Sequence, residues 1–239
     1  MTTFSPAIIL VEPQLSENIG MTARAMANCN LSNLRLINPR ENHLSDKAIS
    51  ASSGAEYILE NAVVYNSTQD AIKDLHQVFA TTARHRDMIK NIYTAEQAAK
   101  EIASSQSQKS GILFGRERTG LENDDVSLCN AIIEIPLNPN HCSLNLSQAV
   151  LLVGYEIFKQ SSSAPSNQLI TNKTDIATKE QINSLLSYLD SKLEDFPILK
   201  NQEKAPRIKR NLHNIFTRSQ ITEQEINTLF GVFKHLTKD

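Results

Sequence analysis

The side chains in this sequence that could do chemistry sit in two polar loops and one helix start. The first loop, Gly115-Arg116-Glu117-Arg118-Thr119-Gly120-Leu121, packs three charges between two glycines. Glycine there lets the backbone take positive φ or approach a ligand closely. The second, Asn138-Pro139-Asn140-His141-Cys142-Ser143-Leu144-Asn145, is built from turn-forming and hydrogen-bonding residues. The helix start, Asn18-Ile19-Gly20-Met21-Thr22-Ala23-Arg24, offers Asn18 as a cap and Arg24 as a cation among small neighbours. A guanidinium in such a place is either a solvated charge or a ligand for phosphate. His85 and His141 are candidate bases by residue type, or loop histidines without a catalytic duty. Cys142, beside His141, is either a thiol nucleophile or an inert cysteine. Neither GxGxxG after the first strand nor GxxxxGK[ST] occurs, so the familiar nucleotide cradles are excluded. No CxxC pair or Cys/His cluster offers a zinc site, and no metal is expected.

These loops need elements to hold them. Ile112-Leu113-Phe114 runs apolar and stops at Gly115; Ala131 to Ile135 does the same and stops at Pro136. Short apolar runs of this kind are buried parallel strands. Ala7 to Val11, Leu34 to Ile37, Val63 to Tyr65 and Val78 to Ala80 read the same way, the last leading into Thr81-Thr82-Ala83. Helical patterns lie between them. One starts near Ile19 and carries Ala23 and Ala27; one spans Ala48 to Glu60 with a break at Gly54; one spans Thr68 to Leu75. Another starts at Thr94, with Gln97 completing a capping box, and a last one places Leu146, Val150, Val153 and Ile157 on one face. The alternation predicts an α/β domain over 1–160, with a mainly parallel sheet covered by helices on both faces. Ligands bind outside the carboxyl ends of strands in such sheets, where both polar loops fall.

Beyond Phe158 the composition changes. Residues 161–175 read as a linker, rich in serine and containing Pro165. Residues 176–239 read as a small helical appendage: Lys179 to Leu193, Pro206 to Phe216, and Thr222 to Leu236, with Thr222 and Glu225 as a capping box. Lys200, Lys204, Arg207, Lys209, Arg210 and Arg218 face a single acid, Glu203, in this stretch. The cluster is either a solvated helix face or a phosphate-binding patch. Among 239 residues the net charge is -2 and the cysteine count is 3, so reduced thiols are expected rather than a disulfide framework. No apolar run is long enough to span a membrane. Met1 to Pro6 lacks the pattern of a secretion signal, so a cytoplasmic protein is expected.

Three separated segments resemble the motifs of the SPOUT-class, TrmH-like RNA ribose 2'-O-methyltransferases. They are Glu17-Asn18-Ile19-Gly20 with Ala23-Arg24, Phe114 to Leu121, and Ser143-Leu144-Asn145-Leu146-Ser147-Gln148-Ala149. All three occur in order and at strand ends. The finer match is to the TrmJ-like branch, which methylates tRNA. It continues through Pro206-Arg207-Ile208-Lys209-Arg210-Asn211-Leu212 and Ile215-Phe216-Thr217-Arg218, so it covers nearly the whole chain.

The resemblance implies a trefoil-knotted fold, S-adenosylmethionine as methyl donor, a homodimer, and methylation of cytidine or uridine at position 32 of the tRNA anticodon loop. It also implies residue roles. Arg24 matches the catalytic arginine, Asn18 orients the target, and Ser143 contributes a hydrogen bond. Thr81, Thr82, Ala83, Gly115, Ile135, Cys142, Ser143, Leu144 and Asn145 match the cofactor loops. Glu117 and Arg118 face cofactor and RNA, and Lys204, Arg207, Lys209, Arg210 and Arg218 would bind RNA. Arginine is a poor general base, its pKa lying above about 12, so Arg24 is expected to position the hydroxyl while a phosphate aids proton transfer. Two competing readings are an rRNA methyltransferase of the same class and a non-catalytic RNA-binding protein on this fold.

Overall fold

The computed structural model describes residues 5–82, 88–105, 108–162, 170–171, 173–193 and 204–236. Ala83 and His85 lie outside the described residues. The chain forms two compact units, Met1–Ala164 and Pro165–Asp239.

In the first unit, seven strands form one sheet: β1 (Ala7–Val11), β2 (Leu34–Ile37), β3 (Val63–Tyr65), β4 (Gln77–Thr81), β5 (Asn91–Thr94), β6 (Ser110–Phe114) and β7 (Ala131–Glu134). Their order is β3-β2-β1-β6-β4-β7-β5, and every pairing is parallel. Side chains alternate across the sheet as a pleated strand requires. Ile8 and Leu10 join one core with α1 (Ser16–Asn28), α2 (Asp46–Ser52), α3 (Glu56–Glu60), α5 (Ala95–Ser104) and α7 (Leu146–Ser161). Ala7, Ile9 and Val11 join the other, with α4 (Thr68–Ile72) and α6 (Asn123–Ser127). Burial on both faces is why these strands read as continuous apolar runs.

Several expectations need adjusting. The first helix begins at Ser16 rather than near Ile19, and its N-cap position is Leu15, which makes no side-chain cap. Asn18 is therefore not a cap; it sits inside the first turn and is buried. The helix read over Thr68 to Leu75 stops at Ile72. The break at Gly54 is present: Ser53 is left-handed and Gly54 has φ +95, dividing α2 from α3. Thr94 and Gln97 form the expected capping box. Two elements were not foreseen. β5 is an edge strand that pairs only with β7 and leaves Ile92 exposed, and it lacks an apolar run. α6 is five residues long and mostly polar, too short to show a helical period.

An ion pair between a buried arginine and an exposed aspartate ties the sheet to a connection. Arg35 on β2 is 6% exposed, and its Nη1 and Nη2 donate to the two carboxylate oxygens of Asp74 at 2.6 and 3.0 Å. The Arg35 hydrogen bonds hold the Asp74 carboxyl below its usual range. A depressed acid stabilises the fold fully above its unfolded pKa near about 3.9, and that contribution fades as pH falls through the lower folded value. Asp74→Ala strands a buried guanidinium and is expected to cost about 1–2 kcal/mol at neutral pH, reduced because water reaches Asp74. Urea unfolding checks this; the gap to wild type should narrow below about pH 4.

The second unit holds α8 (Lys179–Leu193), α9 (Ala205–Thr217) and α10 (Glu223–Leu236). Ile182, Leu185, Leu186 and Leu189 of α8 meet Phe216 and Ile226 in a small core. Thr222 and Glu225 make the capping box, with Thr222 N–H donating to Glu225 Oε2 at 2.7 Å and Glu225 N–H to Thr222 Oγ1 at 3.3 Å.

Candidate active site

Strands β6, β4 and β7 are neighbours, and the loops at their carboxyl ends enclose a cavity of about 280 Å³. Gly115 to Leu121 forms one wall. Its backbone closes on itself: Gly120 N–H donates to Arg116 O at 2.9 Å and Arg116 N–H to Gly120 O at 3.3 Å. A Cβ on Gly115 would lie 2.2 Å from Gly120 C and Leu121 N, so only glycine fits there. Gly120 takes φ +72, which glycine adopts without strain. Thr81 and Thr82 line the cavity from β4, and Ile133, Ile135 and Leu137 line it from β7 and the chain beyond. Cys142, Ser143 and Leu144 close it just before α7. Seven of the nine expected cofactor residues, Thr81, Thr82, Gly115, Ile135, Cys142, Ser143 and Leu144, thus come together. Ile133, Leu137, Leu146 and Ala149 also line it. Ile133, Leu146 and Ala149 lie inside apolar strand and helix patterns and Leu137 stands alone between Pro136 and Asn138, so sequence gives no sign that they face a ligand.

Asn145 stands behind the wall instead of in it. Its Oδ1 accepts from Ser147 N–H at 2.9 Å and Ser147 Oγ at 2.7 Å, which caps α7. Its Nδ2 donates to Asn18 Oδ1 at 3.0 Å. Asn18 Nδ2 in turn donates to Glu117 Oε1 at 2.9 Å. The three sequence segments therefore meet in one hydrogen-bonded chain. Gly20 serves packing: a Cβ there would lie 2.1 Å from Ala48 O, so α1 and α2 touch through it.

The charged loop divides its duties. Arg116 Nε and Nη2 grip the Glu12 carboxylate, both at 2.8 Å, with Glu122 and Asp125 at 3.6 Å from Nη1. Hydrogen bonding to Arg116 keeps Glu12 ionised well below the usual carboxylate range. Glu117 turns the other way, toward α1, and accepts from Gln14 N–H at 2.9 Å. Arg118 is exposed and makes no hydrogen bond or ion pair with the described residues. Arg24 is likewise exposed and unpaired among them, and it is absent from the cavity wall.

The candidate base His141 is exposed and does not line the cavity; Cys142 beside it does, and its thiol is free. Cys29 and Cys129 are free and buried, and burial pushes the Cys129 thiol up to about 12. Such a group is protonated and unreactive at neutral pH.

In the second unit, Arg207, Arg210 and Arg218 are exposed, and Lys209 is half-buried. Helical spacing sets Arg207, Arg210, Asn211, Asn214 and Arg218 along one side of α9, opposite Leu212 and Phe216. Lys204 is exposed at the start of this helix.

Residues 5–155 match the SpoU rRNA Methylase family. A curated Haemophilus influenzae protein, described as an uncharacterized tRNA/rRNA methyltransferase, is 32% identical over 235 residues, covering 97% of this chain and 94% of its own length. The tRNA (cytidine/uridine-2'-O-)-methyltransferase TrmJ of Photorhabdus laumondii is 31% identical over 233 residues, covering 97% of this chain and 96% of its own. The crystal structure of TrmJ from Z. mobilis ZM4 superposes with a TM-score of 0.83 at 42% identity, over 98% of this chain and 99% of that one. From the motif segments joined at the strand ends to this near full-length likeness, the conclusion is that the chain belongs to the SpoU family of RNA methyltransferases.

Proposed function

We propose that this protein transfers a methyl group from S-adenosylmethionine to the 2'-hydroxyl of a tRNA ribose, the target being cytidine or uridine at position 32 of the anticodon loop. The observation that carries the reading is the closure of three distant segments around one cavity, through Asn145, Asn18 and Glu117. The relatives described as tRNA (cytidine/uridine-2'-O-)-methyltransferases support the choice of tRNA.

The cavity fits the methyl donor in kind. Ile133, Ile135, Leu137 and Leu146 offer an apolar slot for a purine, and main chain at Gly115 and Ser143–Leu144 offers hydrogen-bonding groups beside it. The bound donor supplies an already activated methyl group, so the protein needs chiefly to align an oxygen with it. Ser143 is exposed on the cavity wall, with a hydroxyl available to the incoming ribose. Arg24 holds phosphate and target hydroxyl together, and the phosphate aids proton transfer, since a guanidinium remains charged and is a poor base. The test is thermal: S-adenosylhomocysteine at about 100 times its dissociation constant should add about 2.7 kcal/mol and raise Tm by several degrees. No shift at millimolar ligand would sink the reading.

Three further features belong to the proposal. The first is a trefoil knot in the second half of the catalytic unit. Its support is that β4 lies between the later strands β6 and β7, while α7 returns to pack on α1 and α5. The chain trace of an experimental structure checks it. The second is a homodimer. Arg24 is absent from its own cavity wall, and Met21 on α1 with Leu151, Leu152 and Tyr155 on α7 leaves apolar surface exposed on two packed helices. A second copy would cover that surface and bring its Arg24 to this cavity. Sedimentation at micromolar concentration should show a dimer; a fully active monomer contradicts it.

The third is an RNA-binding second unit spanning residues 176–239, joined by a linker at 161–175. The arginine side of α9, with Lys204 near it, meets the phosphate backbone, whereas Lys209 falls on the side of Leu212 and Phe216. Replacing Arg207, Arg210 and Arg218 together by alanine should weaken tRNA binding by about 10-fold or more. It should also lower the slope of log affinity against log salt by about 2. Unchanged affinity and slope in a salt titration would rule out this face.

A further inference from the structure

We propose that Glu117 is a positioning residue, which sets the helix carrying Arg24 against the cavity loop and does not itself touch RNA. This rests on the methyl-transfer reading above. The Glu117 carboxylate accepts from Gln14 N–H at 3.1 and 2.9 Å, from Leu15 N–H at 3.4 Å and from Asn18 Nδ2 at 2.9 Å. Three donors thus converge on this carboxylate, and all of them come from the chain just ahead of α1 or from its first turn. It would repel an RNA phosphate, so Arg118 next to it, exposed and unpaired among the described residues, is the group of this loop suited to RNA.

The donors it holds lie just ahead of α1. A negative charge at that end suits the helix dipole, and Glu41 adds a second, accepting from Ser16 N–H at 2.9 Å. The direction of the amide chain is fixed. Asn145 Oδ1 is committed to Ser147, so its Nδ2 must donate to Asn18 Oδ1, which leaves Asn18 Nδ2 to donate to Glu117. Arg116, gripping Glu12, anchors the same loop to the end of β1. The loop is thus pinned on both sides, and Arg24 follows Asn18 by about 9 Å of helix. In the proposed dimer Arg24 serves the second copy's cavity, so a shift at Glu117 tilts α1 and moves Arg24 relative to that cavity, where a misplacement of about 1 Å costs on the order of 100-fold in rate.

The experiment is single-turnover methyl transfer with saturating tRNA and S-adenosylmethionine, using wild type, Glu117→Ala, Arg24→Ala and the double variant. Glu117→Ala should slow transfer by about 30-fold or more, with the dissociation constants for tRNA and S-adenosylhomocysteine within about threefold of wild type. The double variant should be no slower than Arg24→Ala, because one residue acts through the other. A double variant slowed by the product of the two effects overturns the proposal, as does a loss that appears in tRNA affinity instead of rate. Should Glu117→Ala not fold, Glu117→Gln keeps the shape while setting an amide against the Gln14 N–H, and the same comparison applies. Amide hydrogen exchange at Gln14 and Leu15 is read in parallel and needs no activity. Faster exchange in Glu117→Gln supports the clamp, and unchanged exchange refutes it. A wild type that transfers no methyl group is a failure of the parent reading, told apart from a failure at Glu117 by that exchange.

Discussion

Arg24→Ala is expected to lower kcat for tRNA methylation by about 100-fold or more, while the dissociation constant for S-adenosylmethionine stays within about threefold. The side chain is exposed, unpaired among the described residues and outside the cavity wall, so its removal empties no core and touches no cofactor contact. An interaction made only in the transition state shows itself in kcat. Arg24→Lys should not restore activity, because an ammonium lacks the planar fork that holds two oxygens at once. Stability should change by less than about 1 kcal/mol, as at most exposed sites. Methyl incorporation, cofactor titration and Tm decide the matter. Near wild-type turnover in Arg24→Ala would remove this residue from the chemistry, and a fall in Tm that accounts for the lost activity would make its role structural.

The second large effect is expected at Gly115. An added methyl group would sit 2.2 Å from main-chain atoms of Gly120 and Leu121, against backbone that cannot rotate aside as a side chain can. Gly115→Ala must open the loop that walls the cavity. Affinity for S-adenosylhomocysteine should fall by about 100-fold, and overpacking should cost about 1–3 kcal/mol of stability. Gly231→Ala is the control: nothing lies within 4 Å of the added carbon and α10 continues through it, so it should be neutral or slightly stabilising. Calorimetric titration of both variants tests the contrast. Equal affinities would mean that the Gly115 loop does not shape the ligand site.

The sequence made the framework legible where burial left a strong signal. Six of the seven strands are apolar runs, and β1, β2 and β6 are buried at every residue. β5 escaped because Asn91-Ile92-Tyr93-Thr94 mixes polar and apolar residues, whereas the other edge strand, β3, is as exposed but keeps the run Val63-Val64-Tyr65. Cavity-wall positions were legible where loop chemistry is unusual, in the glycine-framed loop from Gly115 to Gly120 and the polar loop that ends in Cys142 to Leu144. What could not be read was the partner of each charge. Arg116, Glu117 and Arg118 are consecutive and look alike as candidates. Only the fold shows that the first holds Glu12, the second holds α1 and the third is free among the described residues. Asn18 was misread as a cap for the same reason. Its true partners, Glu117 and Asn145, lie 99 and 127 residues away.

The central claim is that this cavity delivers a methyl group to a ribose oxygen of tRNA. The most direct test incubates the purified protein with S-adenosylmethionine and unmodified tRNA, then locates the product by nuclease digestion and mass spectrometry. The account predicts one added methyl group on the 2'-oxygen of the nucleotide at position 32, and none with Arg24→Ala. A methyl group on a base, a product formed only on rRNA, or no transfer from a protein that binds both ligands would contradict it.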